Sequence, residues 1–282
     1  MATLCFKQIK QLSLRDIMKR KLFFIGIVLI LAVTSCSEFQ KVVKSSDYDL
    51  KYDKALEYYN NEDYFRAQQL FEELLTLFKG STKGEEVYFY YAYCYYGQGN
   101  YILAGYHFRS FAKTYPNSKH TEECEFLSAY CFYLDSPGPD LDQTNTRRAI
   151  DALQLFINKY PESKRIEECN ELIDKLHNKL EIKSYNSAKL YFDLGDYKAA
   201  NVALSNALKD YPDSQFREEL LYLLLKSNFL LAENSIESKQ KERFQNTIEQ
   251  YYALIDEYPK TDHLKEAEKL YEQSLNMIKQ IN

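Results

Sequence analysis

Glycine and proline are scarce in this sequence, which holds 8 Gly and 6 Pro among 282 residues. Since these residues form most tight turns, their scarcity argues against an all-β fold of many short strands and favours long helices. Tryptophan is absent, although proteins that bind glycans commonly stack sugars on it. Tyrosine is abundant instead, with 26 residues.

Motifs that carry enzymatic chemistry are also missing. The sequence contains no Walker phosphate-binding loop and no GxSxG nucleophile motif. The two glycines of GQGN at 97–100 fall at a turn between two helical segments, and the acidic residues are scattered as on solvated helix faces. We therefore predict that the protein is not an enzyme and needs no cofactor.

Cysteine and histidine do not cluster in a way that would bind metal. There are six Cys and four His, with no CxxC pair, whereas zinc and redox sites show tight spacing. We expect no metal site. An export compartment permits disulfides, and the sequence leaves open whether these cysteines form one. Four cysteines are interpreted as small buried residues of helices: Cys94, Cys124, Cys131 and Cys169.

The amino-terminal segment has the pattern of an export signal. Lys19, Arg20 and Lys21 precede an apolar stretch at 22–33, which is too short for a comfortable transmembrane span. We predict a signal peptide over residues 1–35, with Met18 as the candidate true start.

The end of this signal, VTSC, resembles the lipobox of bacterial lipoproteins, which implies that Cys36 is the lipidated first residue of the mature chain. An ordinary signal peptide with an incidental cysteine is the alternative. Ser37, where an Asp would signal inner-membrane retention, implies an outer membrane location. Residues 36–47 are then a lipid-anchored linker.

The mature chain is acidic. Residues 1–36 hold six Lys or Arg and one Asp, so the remainder has 30 basic and 40 acidic residues and a net charge of −10. Nucleic acid is therefore excluded as a partner, because phosphate binding needs basic patches. Membrane affinity must come from the lipid anchor rather than from charge.

An internal repeat dominates the mature sequence. Residues 92–116 and 188–212 align without a gap, with matching small residues and a Tyr-Pro ending. Tyr-Pro-x-Ser/Thr occurs four times, in KTYPNS, NKYPES, KDYPDS and DEYPKT. A first copy carries Lys79 in place of Pro, and the third and fifth copies contain insertions.

Each copy reads as two helices joined by a turn and ended by Pro, which cannot continue a helix. The Ser or Thr after Pro is placed to cap the next helix. The pattern resembles the tetratricopeptide (TPR) repeat. We predict an all-α solenoid with repeats 1–3 at 48–164, and a long helix over 165–194, repeats 4–5 and a capping helix within 165–282.

In TPR proteins the first helix of each repeat lines a peptide-binding groove, and eight of the nine corresponding positions in repeats 1–3 are aromatic. Tyrosine suits such a half-wet surface because its ring packs while its hydroxyl stays hydrated. Packing between repeats is the alternative role for each ring. The candidate residues are Tyr52, Tyr59, Phe89, Tyr93, Tyr96, Phe126, Tyr130 and Tyr133.

A lipobox followed by five TPR repeats with a long helix after the third resembles the BamD family of outer membrane assembly lipoproteins, over nearly the whole mature chain. The resemblance implies a component of the β-barrel assembly machinery with two kinds of partner. These are the barrel-forming BamA-like subunit and unfolded outer membrane proteins, whose aromatic-ending C-terminal targeting signal would occupy the groove.

Two other functions fit TPR repeats. A periplasmic scaffold that coordinates cell-envelope or division proteins would commonly carry a coiled coil or a helical anchor, and neither is visible. A glycan-binding TPR lipoprotein would commonly be longer and contain tryptophan.

Overall fold

The computed structural model describes residues 38–281, which are helical throughout apart from short connections. The predicted signal peptide and the predicted lipidation site Cys36 lie outside these residues. None of the described helices is long and apolar enough to cross a membrane. The helices are α1 (38–44), α2 (Tyr48–Asn60), α3 (Tyr64–Leu77), α4 (Thr82–Gly97), α5 (Tyr101–Thr114), α6 (Thr121–Leu134), α7 (Thr144–Lys159), α8 (Ile166–Asp193), α9 (Tyr197–Asp210), α10 (Arg217–Glu233), α11 (Glu237–Glu257) and α12 (Leu264–Ile281).

Helices pack pairwise with their neighbours in the chain, in antiparallel contacts. This confirms the prediction of an all-α helical repeat array. The chain divides into two compact units, the first ending at Cys131 and the second beginning at Phe132. The sequence places a boundary at residue 165 by counting repeats, and that division stays a prediction.

Small residues let the two helices of each repeat approach closely. In repeat 1 the pair is Ala55 on α2 and Ala67 on α3, both without exposed surface. Because a bulky side chain would separate the helices at this point, a small residue recurs in register. The buried pairs within the two units are Ala92 with Ala104, Ala188 with Ala200, and Ser227 with Thr247.

In repeats 1, 2 and 4, the turn between the two helices holds one residue in the left-handed region. Gly99 (φ 73°) and Gly195 (φ 78°) fill this position in repeats 2 and 4, where glycine carries no steric penalty. Repeat 1 places Glu62 there with φ 60°, the one non-glycine residue with positive φ among the described residues. The next residue caps the following helix: the Asp63 carboxylate accepts a hydrogen bond from the Arg66 amide (3.2 Å).

The Tyr-Pro-x-Ser/Thr segments end one repeat and lead into the next. Tyr160 is the C-cap of α7, and its ring packs against Phe156 at 5.1 Å. The Ser163 hydroxyl accepts a hydrogen bond from the Arg165 amide (3.2 Å), two residues on. Helix α8 begins only at Ile166, so the serine orders the loop and is not the helix N-cap that the sequence predicted.

The long helix predicted over 165–194 is continuous. Helix α8 has 28 residues, which corresponds to about 42 Å. In the second unit the insertion of repeat 3 lies on this helix. The Lys179 ammonium donates to the Ser136 hydroxyl (2.7 Å), and the Lys183 ammonium donates to the Asp140 carbonyl oxygen (3.0 Å). These bonds fix the inserted loop.

Residues 38–44, within the segment that the sequence treats as a linker, form helix α1. Phe39 and Val42 are buried against the core of the first unit. Beside them, Lys51 on α2 is 2% exposed, and its ammonium lies 2.5 Å from the Glu73 carboxylate on α3. A buried ammonium needs such a partner, because an unpaired charge is costly to remove from water.

Candidate peptide-binding surface

The aromatic surface is the set of candidate rings on the first helices of the repeats. On α2, Tyr52 and Tyr59 lie seven residues apart and therefore on one face. The Tyr52 hydroxyl donates to Glu86 on α4 (2.8 Å), and the Tyr59 ring packs edge-on to Tyr90 at 4.9 Å. Burial raises the pKa of Tyr59 to about 12. Burial and then Glu86 raise the pKa of Tyr52 above its usual value.

On α4, Phe89 and Tyr93 form the centre of the aromatic surface. The Phe89 ring lies flat on His120 with centroids 4.0 Å apart, and it meets the Tyr93 ring at 4.8 Å. The Tyr93 hydroxyl donates to the Glu123 carboxylate on α6 (2.6 Å). Burial and then this bond raise the pKa of Tyr93. Tyr96 lies one turn further, 6.2 Å from Tyr93.

On α6 the candidate rings differ in exposure. Phe126 is 2% exposed and therefore packs as core, with the Tyr130 ring stacked on it at 5.7 Å. Tyr130 itself is half-buried. Tyr133, also half-buried, belongs to the second unit. The structure thus places seven of the eight candidate rings partly in solvent and one in the core, while their role as a groove stays a prediction.

The rings on the other side of α4 pack against the core of the first unit. Tyr91 is 6% exposed, and its hydroxyl lies 3.1 Å from that of Tyr95. His107 on α5 is enclosed by these rings, at 4.9 Å from Tyr91 and 5.0 Å from Tyr95, and burial lowers its pKa. Tyr91 is therefore the one buried ring of α4, while Tyr95 is half-buried, as are Phe89, Tyr93 and Tyr96.

Sequence reasoning missed the carboxylates that hold the aromatic surface. Asp49, Glu86 and Glu123 each stand six residues before the first small residue of their repeat. Glu86 accepts from Tyr52 and Glu123 from Tyr93, while Asp49 pairs with Lys83 at 2.5 Å. The recurrence of an acid at one position of repeats 1 to 3 could have revealed these carboxylates in the sequence. Repeats 4 and 5 have Ile and Leu at that position.

Nothing in this surface is arranged for catalysis or metal binding. Within residues 38–281 there is no group of three His, Cys, Asp or Glu side chains that could hold a metal ion. The nucleophilic thiols are buried, and burial raises the pKa of Cys94 to about 12 and that of Cys169 to about 11. A surface of rings and paired carboxylates can bind another chain by packing and hydrogen bonding.

Comparison with protein families matches residues 45–244 to the family described as YfiO, outer membrane lipoprotein. Comparison with curated proteins finds no match. The matched family is one of non-catalytic lipoproteins of the outer membrane, which confirms the predicted location and the prediction that the chain is not an enzyme. Because the match covers most of the sequence, the chain belongs to the YfiO family of outer membrane lipoproteins, the BamD family.

Proposed function

We propose that the protein is a periplasm-facing component of the β-barrel assembly machinery, anchored through a lipid on Cys36. In this proposal the aromatic surface of the first unit receives the C-terminal segment of unfolded outer membrane proteins. The observation that carries it is the row of half-buried rings at Tyr52, Phe89 and Tyr93, on consecutive repeats of the first unit.

The chemistry of the surface suits an aromatic-ending segment. Membrane-spanning β-strands alternate apolar and polar residues and carry aromatic girdles, so an unfolded barrel strand offers rings at regular spacing. Hydrogen bonds hold the Tyr52 and Tyr93 rings in place, so little side-chain freedom is lost when a ligand packs on them.

A direct test uses a photocrosslinking residue in place of Tyr93 or Tyr130 in the purified full chain. The probe is a peptide that copies the last residues of an outer membrane barrel protein, ending in Phe. We expect crosslinks at both positions, and fewer when the terminal Phe is deleted. The matched control is Tyr252, an exposed tyrosine of the second unit. Equal crosslinking at position 252, or none above background, contradicts the assignment.

The second unit then binds the barrel-forming BamA-like subunit, because unfolded outer membrane proteins occupy the aromatic surface of the first unit. Support comes from family membership and from the Tyr252 and Tyr271 pair, whose hydroxyls lie 3.0 Å apart on α11 and α12. Pull-down of the full chain from solubilised membranes should co-purify the barrel-forming subunit. A Tyr252→Ala variant should lose it, while Tyr93→Ala retains it.

The lipid anchor has its own test. A Cys36→Ser variant should leave the membrane fraction, since several buried acyl chains hold a protein far better than its acidic surface could. Retention of the variant in the membrane fraction would refute lipidation at Cys36.

A further inference from the structure

The start of the described chain is fixed to repeat 1 by packing. Phe39, 6% exposed, meets the Tyr58 ring edge-on at 5.6 Å. The Arg66 guanidinium lies 5.6 Å from the Phe39 ring and is ion-paired with Asp63 at 2.9 Å. Helix α1 therefore begins beside the end of α2 and the start of α3, the end of the helix pair where Glu62 makes its turn.

The anchor point is close to this packed end. Only Ser37 separates Cys36 from residue 38, so the two Cα atoms lie at most about 7 Å apart. A lipid on Cys36 would hold the start of α1 at the level of the headgroups. The inference below rests on that proposed anchor.

The same end of the first unit exposes apolar side chains. Phe65 on α3 is 71% exposed, and Ile102 on α5 is 69% exposed. Each is the second residue of the second helix in its repeat. The turn of repeat 2 rests on repeat 1, because the Gln98 side-chain amide donates to Gln68 (2.6 Å) and to the Tyr64 carbonyl oxygen (3.4 Å). Phe65 and Ile102 therefore belong to one continuous surface, here named the turn edge.

Exposed apolar residues also stand at the turns of repeats 4 and 5, Leu194 at 71% and Ile236 at 68%, but the position of Phe65 and Ile102 is apolar in repeats 1 and 2 alone. By alignment, the positions of Phe65 and Ile102 are occupied in repeats 3 to 5 by Arg147, Lys198 and Gln245. The two turns themselves, at 60–68 and 97–104, contain two acids and one base. Without an excess of positive charge, the turn edge suits neutral rather than anionic headgroups.

We propose that the turn edge of the first unit is a membrane-contact surface. Phe65 and Ile102 enter the interfacial zone of a zwitterionic phospholipid bilayer, beside the point where the lipid anchor leaves the chain. Aromatic and aliphatic side chains gain free energy by leaving water in this zone, and the anchor removes the cost of bringing the protein to the surface.

The absence of tryptophan allows a test with a single fluorescent reporter. In the lipidated full chain, Phe65→Trp is reconstituted into phosphatidylcholine vesicles with brominated acyl chains. We expect its emission to shift to the blue and to be quenched by the bromolipid, and Ile102→Trp to behave alike. The control is Leu77→Trp, at the other end of α3 about 18 Å away and 47% exposed, which should stay unquenched.

Flotation of each variant with the vesicles distinguishes failure of the lipid anchor from failure of the proposed membrane contact. If a variant does not float, the lipid anchor itself has failed. If all three float but tryptophans 65 and 77 are quenched alike, the turn edge is not a membrane surface although the anchor stands. Shielding of the Phe65→Trp reporter from acrylamide without bromolipid quenching would mean that a second copy of the chain covers the edge, which overturns the membrane contact. Loss of quenching at high salt would overturn the neutral character of the contact.

Discussion

Tyrosine hydroxyls in the first unit are bonded to carboxylates of the following repeat. The bonds from Tyr52 to Glu86 and from Tyr93 to Glu123 join first helices whose rings also pack together. Hydrogen bonds to ionised acceptors are stronger than neutral ones. The rings are therefore part of the contact between repeats and also half open to a ligand, which makes stability and recognition depend on the same residues.

Alkaline pH should destabilise the protein through its half-buried phenols. Burial raises the pKa of Tyr59 and Tyr185 from 10.0 to about 12, so between these values the folded chain keeps protons that the unfolded chain has lost. Their contribution to the free energy of unfolding is complete below pH 10 and is lost as the pH rises to 12. Urea titrations at pH 8 to 11 should show this fall, less steeply in Tyr59→Phe. A flat profile would contradict it.

The buried Lys51 should depend on its partner. A Glu73→Ala variant leaves the ammonium buried and unpaired, and we expect a loss of about 2 kcal/mol in the free energy of unfolding, less than for a fully enclosed pair because Glu73 is 42% exposed. Lys51→Met removes the need for the partner and should be close to neutral.

The control pair is Lys54 with Glu57 on the same helix, both well exposed. Glu57→Ala should change the free energy of unfolding by less than about 0.5 kcal/mol. Equal effects of the two Glu→Ala changes in urea denaturation would mean that water reaches Lys51 freely.

Among the elements, the turn inside repeat 1 is strained where its counterparts are not. Glu62 adopts φ 60°, a region that Gly99 and Gly195 occupy without penalty. We expect Glu62→Gly to stabilise the chain by about 1 kcal/mol, because the left-handed conformation costs a side-chain-bearing residue about that much. Thermal unfolding of the full chain is the measurement.

The converse change, Gly99→Ala, should destabilise by a similar amount, since a Cβ at that site meets no atom within 4 Å and only the backbone conformation is penalised. A lower melting temperature for Glu62→Gly would show that the Glu62 side chain contributes something that outweighs its strain.

The helix pairs could be predicted because the residues that make them are local and repeated. Ala92 and Ala104 are buried where two helices meet and therefore have to be small. A proline such as Pro161 cannot continue a helix in any fold. The exposure of each ring could not be predicted. Neighbouring positions on a helix differ by 100°, so an error of one residue in the assumed rotation places a buried ring such as Phe126 on the surface. The helical turns at 38–44 were not predicted, because no apolar periodicity was evident there, and the burial of Phe39 and Val42 shows that they belong to the core.

For the whole molecule, the proposal has the anchor and the first unit act as one body, because only Ser37 separates Cys36 from the first described residue. Inserting about twelve Gly/Ser residues between Ser37 and Glu38 should add roughly 20 Å of flexible reach. The lengthened chain should still float with vesicles but lose most of the bromolipid quenching of a tryptophan at position 65.

The same insertion after Asn282 is the control and should leave the quenching unchanged. If the lengthened linker preserves full quenching, the turn edge binds the membrane without help from a short anchor.

The buried thiols imply that folding competes with thiol oxidation during biogenesis. A lipoprotein of the outer membrane crosses an oxidising compartment before it is folded, and there Cys124 and Cys131 are accessible to oxidants. Seven residues apart on one helix, their Cα atoms are about 10 Å apart in the folded chain, beyond the reach of a disulfide. A disulfide formed before folding would therefore prevent α6 from forming, so the helices have to pack faster than the thiols are oxidised. Refolding yield should fall in oxidised glutathione and recover in a Cys124→Ala, Cys131→Ala double variant.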